Sequence, residues 1–178
     1  MEKAGQSWTV PVAVEDIPDT GLHMEIDVPA EIREAMAKLA GLRELPELSA
    51  VFDLVRAGGS VHVSGRVKAR VGQTCVVSLE PIENEIDEPI DVEFRPGAET
   101  AAAAYDLHTL DEGEEPPEPL VDAKVDLGAL ASEILLLSLD PYPRKPGAEF
   151  APVKDAETGD RPFAGLAALK NRLGGDRS

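Results

Sequence analysis

The sequence predicts an α+β fold: a largely antiparallel β-sheet packed by two main helices, with an acidic mobile loop at about residues 97–119 and a C-terminal helical tail. Three observations carry this. Val61, Val63, Val67, Ala69 and Val71 alternate with His62, Ser64, Arg66, Lys68 and Arg70, the pattern of an antiparallel strand with one wet face. Short β-prone runs are separated by turn chemistry such as Gly58-Gly59, which builds hairpins. Finally, the stretch from Asp126 to Leu139 is so rich in Leu and Ile that it reads as the most buried helix of the molecule.

In chain order, Ser7 to Asp16 and Gly21 to Pro29 read as two strands that pair as a hairpin or lie side by side, joined by Ile17-Pro18-Asp19-Thr20-Gly21. A helix follows over Pro29 to Ala40, with Asp27 or Val28 near its cap, Pro29 at its first helical position and Gly41 at its end. Its buried stripe is Ile32, Met36 and Leu39. The run Leu48 to Ala57 pairs through Gly58-Gly59 with the alternating strand. Ile86, Ile90, Val92 and Phe94 then continue the meander, with Pro89 marking an edge or a bulge. The acid- and proline-rich stretch up to Pro119 lacks periodicity and reads as a mobile connection. Beyond it come a short strand and the helix capped by Asp126, with Leu127, Leu130, Ile134 and Leu137 on its main stripe, ending before Asp140-Pro141. The organisation is one domain over residues 1–147, a linker over 148–162 and a last helix over 163–174 with Phe163, Leu166, Leu169 and Leu173 at helical spacing.

The formal net charge is −17, and it is unevenly placed. Residues 80–122 hold fifteen Asp and Glu against the single base Arg95, a balance of −14, which leaves −3 for the flanks. Such a field repels nucleic-acid phosphates and attracts basic proteins over about a Debye length, ~8 Å in physiological salt; a plain solubilising loop is the simpler reading of the same charge. Within it Asp111, Glu112, Glu114, Glu115 and Glu118 form an acidic steering segment. No apolar run approaches twenty residues, and Met1 to Val14 alternates polar with apolar, so a cytoplasmic protein without membrane attachment is expected.

Catalytic constellations are missing. The three histidines, His23, His62 and His108, lie far apart, and neither a nucleophile elbow nor a phosphate-cradling glycine loop is present. The carboxylates crowd into the stretch read as mobile, whereas acid/base pairs need a rigid scaffold to hold their pKa values apart. We therefore expect no catalytic residues, no metal and no cofactor. Cys75 is the only cysteine, and Ser78 stands three residues on, where a metal or redox motif places its second thiol. A small buried side chain at a strand end is the reading favoured for it. Arg66, Lys68 and Arg70 form a basic ladder on one strand face. It suits phosphate contact, and it equally suits a solvated sheet face or an internal partner for the acidic segment. Phe163, Leu166 and Leu169 docked on this domain or in a partner's groove account equally for an amphipathic helix that resumes after a linker.

Three stretches in this order, "VKARVGQTCVVSLEP", "VDLGALASEILLLSLDPYP" and "RPFAGLAALK", resemble the YceD family, the large ribosomal RNA subunit accumulation proteins. The resemblance runs from Val61 to the last helix, with a looser fit before it. Many relatives carry Cys-x-x-Cys before the proline, where this chain has Cys75 and Ser78, so a thiol pair is not essential here if function is shared. The resemblance implies a non-enzymatic factor for synthesis, processing or stability of large-subunit rRNA, hence for large ribosomal subunit assembly. Two mechanisms fit: RNA contact through Arg66, Lys68 and Arg70, or an acidic holder for a basic large-subunit ribosomal protein. The charge favours the holder. The competing class is a metal-independent RNA-processing hydrolase. A monomer is expected.

Overall fold

The structure, a computed structural model, describes residues 8–97 and 116–150. The chain divides into two compact units, Met1–Ala148 and Glu149–Ser178, and every element named below belongs to the first. In order these are β1 (Pro11–Ala13), a 3-10 turn (Val14–Asp16), β2 (Leu22–Asp27), α1 (Ala30–Leu39), β3 (Glu44–Ala57), β4 (Ser60–Thr74), β5 (Pro81–Arg95), β6 (Glu118–Pro119), β7 (Lys124–Asp126) and α2 (Leu127–Leu137). The fold is α+β, as the sequence predicts. Five strands form one sheet in the order β2-β3-β4-β5-β6, antiparallel except for the short parallel β5–β6 contact, while β1 and β7 form a separate antiparallel ribbon.

Strand alternation builds the two faces. Val61, Val63, Val67, Ala69 and Val71 of β4 point into the core, opposite Leu48, Ala50, Phe52 and Leu54 of β3 and Ile86 and Ile90 of β5. Both helices pack on this inner face, α1 against β3 and α2 against β4 and β5. Phe52, Leu54, Val63, Leu127 and Leu135 are among the fully buried side chains, each contributing roughly 1.5–3 kcal/mol of transfer free energy. Gly58, at φ +63°, opens the two-residue turn that joins Ala57 to Ser60. Pro89 lies where β5 is an edge strand, with β4 on one side only, since β6 touches just Phe94 and Arg95.

Three expectations need correction. β1 and β2 do not pair. The Pro18–Gly21 turn forms, with the Gly21 N–H donating to the Pro18 carbonyl at 2.9 Å, but turn chemistry fixes a bend and not a partner. β2 pairs with β3, and β1 joins β7, where the Asp126 carboxylate accepts from the Val10 N–H at 2.9 Å. On α1, whose N-cap is Pro29, Leu39 is 76 % exposed. The covered arc is turned towards Ala37 and Arg33, whose guanidinium donates to the Val28 and Leu45 carbonyls at 3.0 and 3.1 Å. On α2, Leu136 and Leu137 are exposed, because the sheet covers only the arc through Leu127, Leu130, Ala131 and Leu135. The Asp126 cap itself is as expected: its Oδ1 accepts from Gly128 N at 3.0 Å and Ala129 N at 3.1 Å.

Candidate functional site

The face of the sheet away from the helices carries ordered rows of charge. Because β4 alternates, His62, Ser64, Arg66, Lys68 and Arg70 all project there, and the register places their neighbours. On β3, Asp53 stands opposite Ser64 and Glu47 opposite Arg70. On β5, Glu93, Asp91, Asp87 and Glu85 stand opposite His62, Ser64, Lys68 and Arg70, with Glu83 beyond. Glu25 and Asp27 of β2 complete the rows. Nine carboxylates thus stand around the three cations of the ladder, and Arg95, 3.0 Å from Glu93 at the end of β5, is a fourth base on the same face.

Two rungs of the ladder are paired. Arg66 Nη1 donates to Asp87 Oδ1 at 2.7 Å, and Arg70 lies 3.4 Å from Glu47 Oε2 and 3.7 Å from Glu83 Oε1. His62 lies 3.3 Å from Asp91, and His23 is 2.7 Å from Asp53 and 3.5 Å from Glu25. The Arg66 hydrogen bond holds the Asp87 carboxyl below its usual range, helped by the positive charges of Arg66 and Lys68 and opposed by desolvation. The hydrogen bond to Asp53, and then that to Glu25, draws His23 above its ordinary value. Exposed pairs of this kind contribute little to stability singly, so the result is a face of fixed sign more than a stabilising network.

At the β4–β5 connection, Cys75 is fully buried. Its Sγ accepts the Lys145 N–H at 3.3 Å and the Ser78 N–H at 3.4 Å. These donors, Lys145 first, bring the thiol down to about 6 against the opposing push of burial. The Cys75 N–H donates to the Glu80 carbonyl and the Val76 N–H to the Pro143 carbonyl, both at 2.9 Å, and Lys145 Nζ meets Glu80 Oε2 at 2.9 Å. Ser78 donates and accepts within this turn, its Oγ receiving the Glu80 N–H at 3.4 Å. Cys75 is therefore a sulfur acceptor pinning the turn to the loop after α2. Among the described residues no group of three or more His, Cys, Asp or Glu is arranged to hold a metal.

Of the remaining sequence-selected residues, Glu118 is exposed in β6, next to the C-terminal end of β5. Asp111, Glu112, Glu114 and Glu115, and Phe163, Leu166 and Leu169, lie outside the described residues. The acids of β2 and β3 were not singled out by sequence reasoning, although the Gly58-Gly59 hairpin places Asp53 and Glu47 beside the ladder.

A family model described as large ribosomal RNA subunit accumulation protein YceD matches residues 63–170. The chain belongs to the YceD family. The match starts inside β4, so it takes in the basic ladder, the Cys75 turn, β5 to β7 and α2, while β1, β2, α1 and β3 of this YceD protein precede it. No curated protein and no solved structure gives a significant match. No helix among the described residues is long and apolar enough to cross a membrane.

Proposed function

We propose that this YceD-family protein is a non-enzymatic factor that supports large-subunit rRNA accumulation by holding a basic large-subunit ribosomal protein on its acidic sheet face. The observation that carries this is the company kept by Arg66, Lys68 and Arg70: nine carboxylates share their face, and two of the three cations are within 4 Å of one. A phosphate backbone approaching the ladder meets net negative charge, whereas a Lys- and Arg-rich chain meets a complementary field that raises its encounter rate ~10-fold or more at low salt. Direct rRNA contact through the ladder is the weaker reading for the same reason. The acids Asp111, Glu112, Glu114 and Glu115 extend the field in sequence, and Phe163, Leu166 and Leu169 supply apolar grip in a partner's groove. The protein acts in the cytoplasm as a monomer, without cofactor or metal.

The test is capture of tagged protein from cells with and without nuclease. Retention of basic large-subunit proteins after nuclease treatment is expected. Capture that vanishes with the RNA transfers the role to direct rRNA binding. Cleavage of precursor rRNA by the pure protein at catalytic stoichiometry establishes the hydrolase instead.

A further inference from the structure

The side of α2 that the sheet leaves uncovered borders an apolar cleft of about 310 Å³ that the acidic-face reading does not use. Its walls are Phe94 of β5, Pro119 of β6, Val121, and Leu130, Ile134 and Leu137 of α2. Leu137 is 79 % exposed and Val121 53 %, and the two meet at this one cleft. Glu118 and Glu133 stand on the rim beside one base, Lys124, while the Asp126 carboxylate is occupied in capping α2.

We infer that this cleft receives an apolar side chain from a Lys- and Arg-rich amphipathic segment of the partner, with Glu118 and Glu133 facing the flanking basic residues. Charge complementarity selects that occupant: an apolar floor alone admits any hydrophobic segment, and the acidic rim discriminates against acidic ones. Screened surface charge steers, but a desolvated apolar anchor in a preformed pocket slows dissociation, which an acidic sheet face of exposed pairs does not do. The inference rests on the basic-partner reading and names where that partner is gripped.

The probes are two synthetic peptides of equal positive charge, one with Leu and Phe on a helical face flanked by Lys, the other with those apolar residues replaced by Ser. Their binding to the full chain is read by fluorescence anisotropy, with Leu137→Asp and Glu133→Lys as variants and circular dichroism confirming that both remain folded. Both sites are exposed, so folding is expected to survive. The apolar peptide is expected to bind about tenfold or more tighter than its Ser counterpart. Leu137→Asp is expected to erase that preference, and Glu133→Lys to weaken both peptides. Equal binding of the two peptides, or a preference that survives Leu137→Asp, overturns the cleft while leaving the acidic-face reading intact. Self-association of the chain that Leu137→Asp abolishes assigns the cleft to a second copy and overturns the inference too. Failure of both peptides to bind while an rRNA fragment binds removes the basic-partner reading, and the cleft inference with it.

Discussion

Replacing Gly65 by alanine should destabilise the protein more than any other single-methyl change in the sheet. Gly65 sits in mid-β4 at φ +154°, paired with Phe52 on one side and Ile90 on the other. A Cβ placed there falls 2.0 Å from the Val51 carbonyl oxygen, 2.9 Å from its carbon and 3.1 Å from Phe52 Cα, all backbone atoms of β3. A carbon–oxygen contact needs roughly 3.3 Å, so β3 and β4 must part by more than an ångström at the centre of the sheet, where Phe52 is fully buried. Overpacking of this sort costs about 1–3 kcal/mol, and the backbone conformation adds about 1–3 more. The sum, about 2–6 kcal/mol, is a large fraction of a typical domain's stability. Thermal unfolding followed by circular dichroism should show a melting temperature lower by roughly 4–24 °C, and urea titration a matching fall in midpoint. A variant melting within about 3 °C of the parent would mean that β4 relaxes at this point without cost, and that the close approach of β3 is not a constraint on the fold.

Two further outcomes follow from the polar contacts. Asp126→Ala removes one acceptor serving Val10, Gly128 and Ala129, and should cost about 2–3 kcal/mol with faster amide exchange at Val10, whereas Asp126→Asn retains much of both; equal exchange in the two variants contradicts the cap's role in holding β1. Cys75→Ser should keep rRNA accumulation intact while lowering the melting temperature by a few degrees. Because the folded thiol titrates near 6, below its unfolded value, its contribution is fully present above the unfolded pKa and is lost as pH falls through about 6. The parent's stability should therefore lean upward with pH across that window, and the serine variant should lack this component. Loss of accumulation in a folded serine variant would show that the thiol does more than accept hydrogen bonds.

What the sequence revealed depended on whether a feature is local. The β4 alternation was readable because one face of the sheet is wet, and the Asp126 cap because a capping side chain binds N–H groups two and three residues on. Gly58-Gly59 even fixed the register that sets Glu47 beside Arg70. The β1–β7 pairing was not readable, since its strands are three residues each and lie at opposite ends of the domain, where propensity says nothing of partner choice. Leu39 and Leu137 illustrate a second limit: helical spacing marks an apolar arc, but which part of it the sheet covers depends on contacts made elsewhere, such as those of Arg33. For the candidate face, the three cations were visible in one strand, while the carboxylates that share the face come from three other strands.

The measurement that bears most directly on the acidic-holder account is a side-by-side titration of the full chain with a purified basic large-subunit ribosomal protein and with a large-subunit rRNA fragment, across a salt series. Two variants accompany the parent: Asp87→Asn with Asp91→Asn, which thins the acidic face, and Arg66, Lys68 and Arg70 each changed to Gln, which removes the ladder. The account predicts binding to the protein and not to the RNA, weakening with salt, slower association for the Asn pair, and affinity equal to or tighter than the parent for the Gln triple. RNA binding that the Gln triple abolishes, with no affinity for the basic protein, would contradict it.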